Sequence, residues 1–204
     1  MSASEFNDQQ LAVLNDLEAA IPLAVKLQRE KGDTAGALNA LRDVINRAIG
    51  ISTRKNSFES YRRALMIGQS FDKARLVYQR ANQPARAVAS GIVSYFMGVK
   101  QLSAIADYKA GVAAEMRDPR YQAACDIGPK EANQDAKSWE AEAKENFAKA
   151  CASMTNGAIL AEAIRLLKKM KMDVALADRI LSAVSQPPNN PWEMFNAVMA
   201  ALGQ

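Results

Sequence analysis

The chain has 204 residues, about half of them apolar and a quarter charged, and a formal net charge of +4. This composition is ordinary for a soluble globular protein, and no apolar stretch approaches the ~20 residues of a membrane span. The N-terminus lacks the basic segment that opens a signal peptide, so we expect a cytoplasmic protein that does not cross a membrane.

The chain contains no histidine and only two cysteines, Cys125 and Cys151. Histidine is the commonest general base and zinc ligand, so its absence removes Ser–His and Cys–His catalysis and disfavours a zinc site. Two thiols do not make a disulfide framework, and we expect both to be reduced. We therefore predict a protein that is not an enzyme and holds no metal and no cofactor.

Apolar residues at helical spacing predict two helices in the first fifty residues. The first helix starts near Asn7 and is expected to kink or restart at Pro22. A stop at Gly32 and a cap at Asp33 precede the second helix, which ends at Gly50. The predicted inward residues are Leu11, Leu14, Leu17, Ile21, Leu38, Leu41 and Ile45.

A pattern S-F-acid-x-x-R occurs twice, thirteen residues apart, at Ser57–Arg62 and Ser70–Arg75. It predicts two short helices, each with a serine N-cap and an acid in its first turn, separated near Gly68. Because serine caps and first-turn acids are common, the two matches need not share a purpose. Ser70 also lies in a Ser-x-x-Lys match with Lys73, which is too short to indicate acyl transfer.

In the middle of the chain, the sequence pattern predicts a helix that starts at Pro84 and another that is capped by Ser103. Residues 117–129 are predicted to be a longer connection, closed by Gly128-Pro129. This is the best place for a subdomain boundary, with a basic helical part at 1–116 and a C-terminal helical part at 130–204.

The last part predicts a long polar helix over Pro129–Met154, then three shorter helices, of which the last two are capped by Asp173 and Asn190. The glutamates of the long helix lack the histidine that a dinuclear metal site normally adds, so we expect a solvated face. The predicted inward stripe of that helix is Ala132, Ala136, Trp139, Ala143, Phe147 and Ala150. The whole pattern predicts an all-α fold, a compact multi-helix bundle of about nine or ten helices without a sheet, in a single domain over 1–204.

The charge is distributed unevenly along the chain. Residues 1–25 carry four acids and no base, residues 26–100 carry fourteen bases and five acids, and residues 101–204 carry twelve bases and thirteen acids. Eight of the thirteen arginines lie between Arg42 and Arg86, with aromatic residues interleaved. Concentrated guanidinium charge beside aromatic rings is typical of a polyanion-binding surface.

We predict a non-enzymatic nucleic-acid-binding protein that prefers single-stranded DNA or RNA to duplex and depends weakly on sequence. Neither stretch that could form a helix-turn-helix, 57–82 or 158–184, shows the glycine turn and polar recognition helix that major-groove binding needs. The predicted phosphate contacts are Arg54, Lys55, Arg62, Arg63, Lys73, Arg75, Arg80 and Arg86, and the predicted stacking surfaces are Tyr61 and Tyr78.

Two alternatives remain at this point. The basic block could be neutralised by the acidic N-terminal helix of the same or a neighbouring subunit. The chain could instead be a helical assembly or adaptor protein whose basic face docks an acidic protein partner. In either case we expect a homo-oligomer, with contacts from the N-terminal helix and from the C-terminal helix that carries Trp192 and Phe195.

Overall fold

The computed structural model describes residues 3–53 and 57–204, with the backbone alone for residues 3–8. These residues form nine helices and no strand, which confirms the all-α prediction. The helices are α1 (Ala3–Lys31), α2 (Thr34–Gly50), α3 (Phe58–Arg80), α4 (Pro84–Met116), α5 (Pro119–Ala124), α6 (Pro129–Ser153), α7 (Asn156–Lys169), α8 (Leu176–Val184) and α9 (Pro191–Ala201).

Polar caps set the beginnings of several helices, as predicted. Asp33 Oδ1 accepts the N–H of Gly36 at 2.8 Å, and Ser57 Oγ accepts the N–H of Ser60 at 3.2 Å. Asn190 caps α9 with Pro191 at the first helical position. Asp173 lies two residues before the N-cap of α8, so it accepts the Ala175 N–H without capping the helix.

Three predicted helix breaks do not occur. Helix α1 continues through Pro22 without a restart; Pro22 lies on its exposed side, and buried residues before and after it pack both halves against the bundle. Ser103 lies inside α4 and caps nothing. The predicted break near Gly68 is wrong for a different reason.

Gly68 marks a close helix contact. A Cβ on Gly68 would lie 3.2 Å from the Met97 Cβ, so the missing side chain lets α3 and α4 approach. Ser70 lies fully buried in the interior of α3 and is not an N-cap. The second copy of the repeated pattern is therefore the middle of a helix.

The stretch 117–129, predicted as a connection, contains α5 and then turns the chain back so that α6 packs on the second half of α4. Lys109 of α4 pairs with Glu142 of α6, and Arg117, directly after α4, pairs with Glu140. The Tyr95 hydroxyl donates to the Ser153 carbonyl at 2.5 Å.

The four alanines of α6 predicted to face inward are buried, but Phe147 is 55% exposed. It lies about 60° around the helix from the line of Ala132 and Ala150, which face α4. The prediction that Phe147 points inward is wrong.

Four helices end at the same end of the bundle. Arg80 at the end of α3 donates to the Gln28 Oε1 near the end of α1 at 3.0 Å. Arg86 at the start of α4 lines one groove with Met172, just after α7, and Met199, near the end of α9. Helices α1, α3, α7 and α9 thus all end where α4 begins. Their apolar faces, with those of α2, α4 and α8, form the buried core.

Among the described residues one helix, α4, has the length and apolar composition of a membrane span, contrary to the sequence expectation. Half of that stretch is buried inside the bundle, and the core helix of a globular protein has the same composition.

Candidate nucleic-acid interface

The predicted phosphate contacts do not share one surface. Arg54 and Lys55 lie outside the described residues. The other six project from α3 and the start of α4 in different directions, so each meets a different environment.

Arg62 and Arg75 are neutralised within the fold. The Arg62 Nη2 lies 2.5 Å from Glu18 Oε2 and 2.9 Å from Asn15 Oδ1, both on α1. The Arg75 Nε and Nη2 donate to Asp72 Oδ1 at 3.0 and 2.7 Å. The acidic N-terminal helix of the same chain therefore neutralises Arg62, one of the predicted phosphate contacts. This agrees with the first alternative, in which that helix neutralises the basic block.

Lys73 and Arg63 lie on separate faces of α3. Lys73 lines a groove between α1 and α4 together with Glu18 and Asp72. The Arg63 Nη1 donates to the Ile51 carbonyl at 2.7 Å, in a cleft that also contains Lys100.

The two predicted stacking tyrosines are both half-buried and lie near opposite ends of α3. The Tyr61 ring lies 5.5 Å from the Phe58 ring, which also contacts Tyr108. The Tyr78 ring lies 6.5 Å from the Phe195 ring and has the Arg86 guanidinium 5.9 Å from its centre. Tyr78 lies near Arg86 and Arg42, which have no carboxylate within 4 Å among the described residues.

Basic side chains converge where the four helices end. Exposed lysines and arginines occupy the last turns of α1, α3 and α7, the turn directly after α7 and the first turn of α4. Cations in the last turn of a helix offset the negative end of its macrodipole, so they stabilise α1, α3 and α7 locally. We call this set the basic end, and its members are Arg29, Lys31, Arg80, Arg86, Lys168, Lys169 and Lys171.

Acids at the basic end are few. The segments 29–33, 80–86 and 168–173 contain these seven bases and three acids, Glu30, Asp33 and Asp173. Glu30 pairs with Lys26, and an oxygen of each aspartate accepts a backbone N–H. No carboxylate within the described chain lies within 4 Å of the basic nitrogens of these seven residues. The charge is therefore available to a polyanion.

A pocket of about 230 Å³ lies next to the basic end, among α2, α3, α4 and α9. Two arginines cover aromatic rings in its wall: the Arg42 guanidinium lies 5.5 Å from the Trp192 ring centre, and Arg86 covers Tyr78. The Trp192 Nε1 donates to Asn46 Oδ1 at 2.8 Å, which fixes the indole. We call this site the arginine–aromatic pocket.

Two hydroxyls give the arginine–aromatic pocket further polar character. Ser90 lines it, is fully buried, and its Oγ has no hydrogen-bond partner among the described residues. Burial raises the pKa of Tyr78, while the charges of Arg86 and Arg42 act in the opposite direction. A buried hydroxyl without a partner is costly, so a ligand that bonds Ser90 would remove that cost.

Guanidinium groups, aromatic rings and a free hydroxyl in one concave site suit a planar aromatic group attached to an anion. Nucleobases stack on aromatic and guanidinium planes, and phosphates take charge-assisted hydrogen bonds from arginine. Within the described part of the chain no group of acidic or cysteine side chains could hold a metal ion.

The sequence prediction missed Arg42, Trp192 and the lysines at 168–171 as members of this region. These lysines lie within residues 101–204, whose net charge is −1, so the net charge of that part of the chain does not indicate a basic surface. Their position in the last turn of a helix was visible, but the direction of that helix in the bundle was not.

No protein-family model matches this chain, and no curated protein or solved structure matches it significantly.

Proposed function

We propose that this chain is a non-enzymatic protein that binds single-stranded nucleic acid. The basic end contacts phosphates, and the arginine–aromatic pocket receives a base. The observation that carries the proposal is the convergence of seven exposed bases beside a concave site in which arginines cover Trp192 and Tyr78.

A single strand suits this site better than a duplex. The bases of a single strand can leave the stack and enter a pocket, whereas those of a duplex are paired and stacked. The 57–82 stretch that could have formed a helix-turn-helix is for the most part the continuous helix α3, so it does not supply a recognition helix. Phosphate contacts carry no base information, so we expect weak sequence dependence.

The test is a pair of charge-matched double variants. Arg80→Gln with Arg86→Gln removes two cations of the basic end, and Arg120→Gln with Lys130→Gln removes two exposed cations beyond the far end of α4. Binding of a labelled oligothymidylate is followed by fluorescence anisotropy at several salt concentrations. We expect the first variant to bind at least about tenfold more weakly, and the slope of log K against log salt to fall by about 0.7 per lost phosphate contact.

The control variant has the same net charge as the first variant, so it distinguishes binding at a local site from general electrostatic attraction. We expect it to bind almost as the unmodified protein does. Equal weakening in both variants would contradict a site at the basic end.

The pocket is tested through Trp192. In a Trp139→Phe variant Trp192 is the one remaining tryptophan, since the chain has two. A base that stacks in the arginine–aromatic pocket quenches its fluorescence, and the quenching saturates with the anisotropy signal. Binding without any change in Trp192 emission would remove the pocket from the proposal.

One observation favours a second candidate function, a helical assembly or adaptor protein. Phe147 in α6 is 55% exposed and Met154, directly after α6, is 40% exposed, with the exposed Cys151 between them in the sequence. The stripe of α1 (Leu14, Leu17, Ile21) and the α9 side chains Trp192 and Phe195, expected as oligomer contacts, pack instead within the subunit.

Light scattering tests this second candidate. The assembly hypothesis predicts that the unmodified protein has a mass above that of one chain. It also predicts that a Phe147→Glu variant has a lower mass than the unmodified protein. A monomer at all concentrations would contradict an oligomer built through α6.

A further inference from the structure

A cleft of about 540 Å³ opens between α3, α4 and the start of α9, far from the basic end. Along α3, Arg63 and Arg80 are seventeen residues apart, so the two regions are separated by about 25 Å. The wall contains Arg63 from α3 and Lys100 from α4, and the segment 189–191 closes one side.

Both cations are half-buried and retain unused hydrogen-bond donors. The Arg63 Nη1 donates to the Ile51 carbonyl, and the Lys100 Nζ donates to the Asn189 carbonyl at 3.2 Å. Burial lowers the pKa of Lys100, and the nearby positive charge of Arg63 lowers it further. Burial also lowers the pKa of Arg63. Two like charges therefore face one cleft and oppose each other.

The described lining contains one acid, Asp107, which lies within 4 Å of neither cationic nitrogen. Two bases and one acid give the described lining a net charge of +1, which a monoanion balances. The rest of the described wall contains two serine hydroxyls, two asparagine residues and an apolar surface. The apolar members are Ile49, Ala64, Ile67, Met97, Ala104 and Pro191.

We propose that this cleft binds a small carboxylic acid, with the carboxylate between Arg63 and Lys100 and the hydrocarbon part against the apolar wall. The planar guanidinium matches a carboxylate, and the ammonium adds a second charge-assisted hydrogen bond. A ligand with both parts also removes the repulsion between the two cations. The cleft shares no lining residue with the arginine–aromatic pocket, although Pro191 in its wall directly precedes Trp192 of that pocket.

Calorimetric titration with octanoate tests the proposal, because octanoate has one carboxylate and a short hydrocarbon body. Octanamide has the same body without charge, and octyl phosphate has the same body with a larger charge. We expect octanoate to bind at least about tenfold more tightly than octanamide, since a charge-assisted hydrogen bond contributes on the order of a tenfold factor or more. Octyl phosphate should bind more weakly than octanoate.

Lys100→Met and Arg63→Met keep much of the apolar stem and remove the charge. We expect each to weaken octanoate binding about tenfold or more, while octanamide binding stays unchanged. Lys130→Met, at an exposed position outside the cleft, is the matched control. Because removal of one of two opposed charges relieves repulsion, Lys100→Met should fold at least as stably as the unmodified protein, which thermal unfolding checks.

Equal binding of octanoate and octanamide would overturn the proposal, as would unchanged octanoate binding in both folded charge variants or no octanoate binding at all. Tighter binding of octyl phosphate would overturn the assignment to a carboxylate. Loss of oligonucleotide binding at the basic end would leave these outcomes unaffected, so the two proposals fail separately.

Discussion

Tyr78 lines the arginine–aromatic pocket, and burial raises the pKa of its phenol above the ordinary 10.0. Below pH 10 both the folded and the unfolded protein keep this proton, so the full contribution to stability is present. Above that pH the unfolded chain loses the proton first, and the free energy of unfolding falls until the folded pKa has been passed.

This predicts that Tyr78→Phe reduces the loss of stability above pH 10. The expected difference is below about 1 kcal/mol, since Tyr78 is only partly buried. Urea unfolding near neutral pH and above pH 10 measures it, with Tyr61→Phe as the control near the other end of α3. If the free energy of unfolding had the same pH dependence in Tyr78→Phe and in the unmodified protein, the loss of stability above pH 10 would not come from Tyr78.

Ser57 and Ser70 occupy equivalent places in the repeated pattern but have different surroundings. Ser57 caps α3, and the Ser70 Oγ is buried without a hydrogen-bond partner among the described residues. We predict that Ser57→Ala lowers the free energy of unfolding by about 1 kcal/mol through loss of the cap. Ser70→Ala should leave it unchanged or raise it by up to about 1 kcal/mol, because an unsatisfied hydroxyl is removed.

Urea unfolding of both variants under the same conditions gives the comparison. A similar loss in both would mean that Ser70 has a stabilising partner after all.

At the scale of the helix, glycines in α4 have different roles. A Cβ on Gly91 would lie 2.8 Å from the Leu166 Cδ atoms of α7 and 3.1 Å from the Arg75 Cδ of α3, whereas one on Gly98 would meet nothing within 4 Å. Leu166 is fully buried, so it has little room to move.

We therefore predict opposite effects of alanine at these two positions. Gly91→Ala should destabilise the fold by about 1 kcal/mol or more, because overpacking costs more than the helix propensity of alanine supplies. Gly98→Ala should stabilise it by up to about 1 kcal/mol. Thermal unfolding measures both, and a stabilising Gly91→Ala would contradict the close packing of α4 on α7.

The sequence was informative about the presence of helices and less so about their length. Apolar residues at helical spacing and the caps at Asp33, Ser57 and Asn190 were sufficient to locate most helices. A restart at Pro22 and a break at Gly68 did not occur, because tertiary packing overrode the local signals. A glycine can end a helix or allow a second helix to approach closely. Which of the two occurs depends on the partner helix, which the local sequence does not identify.

At the scale of the whole molecule, the direction of the helices determines where charge collects. Helices α1, α3, α7 and α9 end together, so cations from distant parts of the chain form the basic end. The sequence predicted a basic block but not which of its members are neutralised. The Arg75–Asp72 pair is local and could have been anticipated, whereas the Arg62–Glu18 pair depends on the packing of α1 against α3.

The most direct test of the central claim is a titration of the unmodified protein with a labelled single strand and with a duplex of the same sequence, at low and near-physiological salt. We predict tighter binding of the single strand, with log K falling against log salt at a slope of about −3, as expected for about four phosphate contacts. Failure to bind either nucleic acid at low salt, or binding that does not change with salt, would contradict it.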